Sequence, residues 1–313
     1  MRGVVIASAA AALLCSQAQA ADPKPLYFVV NGASDFWKAA EAGLKKAQTE
    51  LPNYKLQIKY PEQSSAAIQN RLMDDLVASG AAGIMVSAVD PKTQTEELDK
   101  IGGQVTLFTT DSDAPKTKRV AYVGSSNIDA GKQAGSLMTK AMPNGGKCMG
   151  FVGLPGADNA RERIDGIKDA IKGSKVDLVD VRADDIDQAR AKRNVEDALT
   201  ARPDITCMVG IYSYNTPQIY QAVKEAGKLG QITIVGFDED PVTLGGVKEG
   251  TIVGTVVQQP YEWAYRGMKL MAKYIEGDKS DLPKDGLVIV PTKIIDKANV
   301  DAFAAELKQR QGK

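Results

Sequence analysis

From Leu26 onward the chain alternates short, continuously apolar runs with longer segments whose apolar positions recur at helical spacing. Runs at 26–30, 56–60, 83–87, 105–109 and 120–123 have the length and composition of strands. Between the first two, Phe36, Ala40, Leu44, Ala47 and Leu51 fall on one helical face. Between the next two, Ile68, Leu72 and Leu76 do the same, with Ser64 or Ser65 placed to cap the helix. The strand runs are apolar throughout rather than alternating, as expected where helices cover both faces of a parallel sheet. After a break at Met142-Pro143-Asn144-Gly145-Gly146 the rhythm restarts, with strands at 147–152, 176–181, 205–211, 232–236 and 252–257 and helices such as 160–171 and 188–199. Two successive βαβ series predict an α/β fold class of two doubly wound parallel-sheet lobes. In such sheets ligands bind beyond the carboxyl ends of the strands, so the loops there are where function is sought.

Ahead of this pattern, Met1-Arg2 precedes an apolar run to Leu14 and a polar stretch ending Ala18-Gln19-Ala20. A charged start, a short apolar run and small residues before the cleavage point read as a signal peptide over 1–20, so the mature chain is expected to work outside the cytoplasm. An ordinary buried helix is the competing reading. Leu14 ahead of Cys15 is too bulky for lipoprotein cleavage, which favours a freely diffusing protein over an anchored one. No later segment approaches ~18 unbroken apolar residues, so no membrane span is expected after the leader.

Composition narrows the chemistry. Of 313 residues, 39 are Lys or Arg and 39 are Asp or Glu, a balance that gives no electrostatic case for nucleic acid. Removing the leader leaves enough chain for two domains of ~100–200 residues each. Histidine is absent, which removes Ser-His-Asp and Cys-His nucleophile systems and His-ligated metals. Cys148 and Cys207 both lie in apolar strand segments. In an oxidising compartment they are candidates for a disulfide; two buried thiols acting as small hydrophobes are the alternative.

The loops after the strands carry Asn31, Ser34, Phe36, Trp37, Asp111, Ser112, Asp113, Asn159, Arg161, Tyr212, Tyr214, Asn215, Asp238 and Gln258. There is no nucleophile–base pair in this set. Its carboxylates, amides, guanidinium and aromatics suit sugar hydroxyls, which donate and accept, and the apolar C–H face of a sugar ring. Each position also has a structural reading. Phe36 and Trp37 are potential core residues at a helix start, and Asp111 and Asp238 are potential helix caps. One of Arg161, Glu162 and Arg163 reads as a solvated surface charge, and Asp113 reads as turn chemistry with Pro115.

A series of segments then carries a resemblance: 28–37 (FVVNGASDFW), 109–113 (TTDSD), 122–127 (YVGSSN), 153–163 (GLPGADNARER), 235–238 (VGFD) and 254–260 (GTVVQQP). In this order the chain resembles the periplasmic sugar-binding proteins of ABC transporters, in the ribose-binding branch, over nearly all of its mature length. The resemblance implies two lobes joined by three hinge strands near 125–127, 258–260 and 282–288. The N-terminal lobe would comprise 24–126 plus 259–284 and the C-terminal lobe 127–258 plus 285–313. It implies that the aromatic pair sandwiching the sugar falls on Phe36 and Trp37, and the hydroxyl-binding groups on Asp111, Arg161, Asp238 and the hinge glutamine Gln258. Asn31, Ser34 and Asn159 complete the expected polar contacts. Three positions depart from the ribose binder: Ser112 stands where it has arginine, Ile186 where it has its second-lobe aromatic, and Tyr212 where it has asparagine, with Asn215 close enough to substitute. These departures leave the identity of the sugar open. The implied protein is a monomer and no enzyme; it needs no cofactor or metal and delivers a sugar or polyol to a membrane permease and to a chemoreceptor. Two other classes compete: an exported carbohydrate enzyme using Asp111 and Asp238 as paired carboxylates, and a sugar-responsive regulator, whose DNA-binding segment would stand where the leader does.

Overall fold

The computed structural model describes residues 22–310; the expected leader over 1–20 lies outside them. The first lobe runs β1 (Lys24–Val29), α1 (Trp37–Gln48), β2 (Tyr54–Lys59), α2 (Ala66–Ala78), β3 (Gly83–Val86), α3 (Pro91–Gly102), β4 (Thr106–Thr110) and β5 (Ala121–Gly124). The chain then enters the second lobe with α4 (Asn127–Ala141), β6 (Gly146–Val152), α5 (Asp158–Ile171), β7 (Val176–Ala183), α6 (Gln188–Ala201), β8 (Ile205–Gly210), α7 (Asn215–Glu225), β9 (Thr233–Phe237), α8 (Pro241–Glu249) and β10 (Gly254–Val257). It returns through α9 (Pro260–Ile275) and β11 (Leu287–Ile289), and crosses once more into β12 (Lys293–Asp296) and α10 (Val300–Arg310). The sheets are ordered β11-β5-β4-β3-β1-β2 and β12-β10-β9-β8-β6-β7. Every pairing is parallel except β10 with β12.

Local chemistry accounts for the helix starts. Asp90 and Asp240 each occupy an N-cap, accept from the amide two residues on, and are followed by proline at the first helical position. Gly250, at φ 83°, ends α8 in the left-handed conformation. Because Asp240 caps α8, Asp238 is left to the loop. Ser65 is the N-cap residue of α2, yet its side chain makes no capping bond.

The α2 stripe keeps Leu76 but buries Gln69 and Met73 in place of the expected Ile68 and Leu72. Gln69 is apolar-facing because its amide stitches two strand ends together: Nε2 donates to the Val30 and Ser87 carbonyls at 2.9 and 2.8 Å. Its Oε1 accepts from the Val89 amide at 3.1 Å. A buried polar group with every partner in place fixes the loops that follow β1 and β3.

The third crossing lies later than the sequence placed it. β11 belongs to the first sheet, paired Leu287↔Tyr122 through Ile289↔Gly124, so residues 287–289 stay in the first lobe and the chain crosses at 290–292. The strand was hidden because its apolar run, Leu287 to Val290, is only four residues long and ends at Pro291. The crossings are bonded to one another: Ser125 Oγ donates to the Val290 carbonyl at 2.9 Å and Gln259 Nε2 to the Pro291 carbonyl at 2.8 Å. In the second sheet Cys148 and Cys207 are register partners on β6 and β8, with Cα atoms 4.3 Å apart and a disulfide between them.

Candidate functional site

A cavity opens between the carboxyl ends of the two sheets. The first lobe lines it with Asn31, Gly32, Ser34, Phe36, Trp37 and Asp111. Facing them are Asn159, Arg163, Ile186, Tyr212, Ser213, Tyr214 and Asp238, with the hinge residue Gln258 between. Phe36 and Trp37 meet edge to face, centroids 4.9 Å apart at 74°, so they form one wall together and cannot hold a ring between them. Trp37 also packs on Phe28 and is buried, so it serves core and cavity at once. The opposing aromatic surface comes from Tyr212 and Tyr214, whose rings meet at 76°.

Arg163 is the charged centre. Only 1% exposed, it donates through Nε to Asn127 Oδ1 at 3.0 Å, through Nη1 to the Ile211 carbonyl at 2.9 Å and through Nη2 to Gln258 Oε1 at 2.7 Å. Its Nη2 stands 3.6 Å from Asp111 Oδ1, across the lobes. The guanidinium also lies over the Phe237 ring at 4.9 Å and the Tyr212 ring at 5.9 Å.

Asp111 takes Ser87 Oγ at 2.8 Å and Asn31 Nδ2 at 3.3 Å on one carboxylate oxygen, and Asn159 Nδ2 from the other lobe at 3.0 Å on the other oxygen. Burial pushes its carboxyl above the usual carboxylate range, opposed by Arg163, Asn159 and Ser87. Asp238 accepts from the Gln258 amide at 3.3 Å and from Gln258 Nε2 at 3.1 Å, and burial pushes it up to about 6 against the pull of Arg163 and Gln258. Both aspartates sit at positive φ, 54° and 66°, which aims their side chains into the cleft at some backbone cost.

Three sequence-predicted site residues lie outside this lining. Arg161 turns away: its guanidinium pairs with Asp158 and with the Gly156 carbonyl. Arg163 takes the place expected of it because Asn159 and Arg163 are four residues apart on one helical face, whereas Arg161 is on the flank. That spacing is visible in the sequence. Ser112 is fully buried outside the cavity, its Oγ accepting from the Asp158 amide at 3.2 Å. Asn215 is buried behind the wall; its Oδ1 accepts from the Tyr212 amide at 3.0 Å and its Nδ2 donates to Asp184 at 2.8 Å.

Asp184 was not foreseen. It is buried, accepts from the Tyr214 hydroxyl and, at 3.0 Å, from the Ile186 amide, and is pushed up to about 6 by burial. It fixes Tyr214 and Ile186, two of the residues that wall the second-lobe side. Tyr212 donates its hydroxyl to Asn159 Oδ1 at 2.9 Å, so both tyrosines turn their polar ends into the protein and their rings toward the cavity. Asp113, read as turn chemistry, accepts from the Ala114 amide at 2.7 Å and from Arg119 at 2.6 Å. Among the described residues no helix is long and apolar enough to cross a membrane, and no group of three His, Cys, Asp or Glu side chains is placed to hold a metal ion.

The family model of the periplasmic binding protein domain matches residues 26–279. The ribose import binding protein RbsB of Escherichia coli (strain K12) is 26% identical over 246 residues, 78% of this chain and 82% of its own length. The crystal structure of an ABC transporter solute-binding protein from Burkholderia graminis C4D1M in complex with D-arabinose superposes with a TM-score of 0.83 at 26% identity, covering 89% of this chain and 97% of that one. GanP, a glucose-galactose binding protein from Geobacillus stearothermophilus, gives 0.82 at 27% identity over 89% and 99% of the two chains.

Proposed function

Because the chain belongs to the periplasmic binding protein domain family, we propose that it is the solute-binding component of an ABC transporter, capturing a small sugar or polyol between its lobes and presenting it to a membrane permease. The observation that carries this reading is the cavity: buried Asp111 and Asp238 flank one buried guanidinium, Arg163, between aromatic walls supplied by both lobes. Carboxylates and guanidinium bind hydroxyl edges through charge-assisted hydrogen bonds, while rings cover C–H faces. A ligand touching both lobes favours their closed arrangement through contacts that the open one lacks. Micromolar binding corresponds to about −8 kcal/mol, within reach of several such bonds after ordering costs.

The relatives named above bind ribose, arabinose, and glucose or galactose by their descriptions, which supports a monosaccharide. The site belongs to Asn31, Ser34, Phe36, Trp37, Asp111, Asn159, Arg163, Tyr212, Asp238 and Gln258 in this reading. The leader Met1–Ala20, outside the described residues, supports export to the periplasm. A chemoreceptor is a second partner for the closed form.

A thermal-shift screen of pentoses, hexoses, amino sugars, inositols and linear polyols, followed by calorimetry, tests the proposal. A true ligand in high excess raises the melting midpoint by roughly several degrees. No shift from any compound would overturn it. The raised carboxyls are also what a glycosidase acid would need, so glycoside turnover is assayed alongside; turnover lost in Asp111→Asn would replace the receptor by an enzyme.

A further inference from the structure

Helix α5 carries Asn159 and Arg163 into the cavity, yet its own N-cap residue, Ala157, has no side chain able to cap it. The amide of Asp158, the first residue of the helix, donates instead to Ser112 Oγ at 3.2 Å, across the cleft from the other lobe. Ser112 is held on its own side, where its carbonyl accepts from the Ala88 amide at 3.2 Å. It is 0% exposed and lies outside the cavity lining. Around it the lobes also touch without any ligand between them. Val89, after β3, joins the apolar cluster containing Leu154 and Ala157, and Gly156 faces the Asp90 carboxylate.

We propose that Ser112 is a positioning residue that clasps the lobes together by capping α5 in trans, stabilising the closed arrangement equally for every ligand the cavity accepts. An exposed N-terminal amide of α5 has water as its partner when the lobes part, so the serine bond favours closure only to the extent that it replaces that water. A group that changes only the closed population multiplies every dissociation constant by one factor, because apparent affinity scales with the competent fraction. A ligand contact alters some ligands and spares others. The inference rests on the reading of the cavity as a site that closes on a solute.

The test compares wild type, Ser112→Ala and Ser112→Thr in the mature chain. Dissociation constants are measured for every sugar that binds, and interlobe spin-label distances are measured without sugar. Ser112→Ala is expected to weaken all ligands by a common factor of about three to ten, the scale of a lost N-cap, and to shift the distances toward the open lobes. Ser112→Thr, which keeps the hydroxyl, is expected to restore both. Unequal factors across ligands, or unchanged constants and distances in Ser112→Ala, would overturn the clasp. If no sugar binds at all, the proposed function fails, while the distances still decide the clasp: a shift toward open lobes supports it and no shift sinks it.

Discussion

Asp111 and Asp238 each follow the fourth strand of their lobe, β4 and β9, and each sits at positive φ with its carboxylate buried in one cavity. Helices α1 and α5 likewise follow the first strand of each lobe and begin beside that cavity. Each is pressed against the helix that enters its lobe from a crossing. A Cβ at Gly43 would stand 2.2 Å from the Tyr261 carbonyl oxygen of α9, and one at Gly131 of α4 would stand 2.2 Å from that of Arg163. On this repeated frame the chemistry diverges. The start of α1 brings the rings of Phe36 and Trp37; α5 brings Asn159 and Arg163. The repetition of βαβ units thus sets where the cavity lies, and in the proposed reading the side chains at two equivalent helix starts would divide a sugar's ring faces from its hydroxyl edges.

The largest break in that comparison is Arg163→Ala. It leaves buried Asp111 and Asp238 without the positive charge beside them and Gln258 Oε1 without its donor. Losing one member of such a network costs about 3–5 kcal/mol of stability, and sugar binding should fall at least about a hundredfold. Arg161→Ala, two residues away on the flank, should stay within about 0.5 kcal/mol in urea unfolding and keep its calorimetric affinity. Equal effects from the two would contradict the placement of α5.

Next comes a comparison of the two aspartates. Asp111 is tied to its own lobe by Ser87 and Asn31 and to the other by Asn159, whereas Asp238 is tied to the hinge by Gln258. Asp238 at about 6 is protonated as pH falls below that value and loses an acceptor for the ligand. Affinity at pH 5 should therefore be about tenfold weaker than at pH 7, following one proton per bound ligand. Folding responds in the opposite sense. With the folded carboxyl raised above its unfolded value near 3.9, stability from this group is greatest below pH 4 and falls as pH rises through 6. Asp238→Asn should flatten the step in calorimetric affinity between pH 5 and 7. Retention of the full step in that variant would assign it elsewhere in the site.

Most of this frame could be read from the sequence because continuously apolar runs identify buried parallel strands without any tertiary knowledge. β11 escaped because a run of four apolar residues, Leu287 to Val290, carries no periodicity, and the third crossing that the resemblance implies over 282–288 falls a few residues early. Within the site, Asn31, Ser34, Phe36, Trp37, Asp111, Asn159, Tyr212, Asp238 and Gln258 all line the cavity because loops after parallel strands converge there. What the sequence did not yield was direction. The resemblance points to Arg161, although helical spacing from Asn159 distinguishes it from Arg163. Ser112 and Asn215 lie in the right loops but point into the protein, which depends on partners 46 residues away for Ser112 and 31 for Asn215. Gln69 and Asp184 were invisible for the same reason: a buried polar residue is recognised by its partners, and those are brought together only by the fold.

The smallest expected effect on binding concerns the disulfide, present in one sheet and absent from its counterpart. Cys148 and Cys207 join β6 to β8, while the equivalent β1–β3 pair of the first lobe contains no cysteine. Cross-linking strands 59 residues apart constrains the unfolded second lobe and is worth about 2–4 kcal/mol. Both cysteines are fully buried in the sheet and neither lines the cavity. Reduction should then lower the unfolding midpoint while leaving the affinity of the folded protein within about twofold, since a change in the unfolded state alone leaves native contacts in place. Thiol titration of denatured protein provides the check. No free thiol from the mature chain before reduction and two after are expected, and two reactive thiols in unreduced material would remove the bridge from the account.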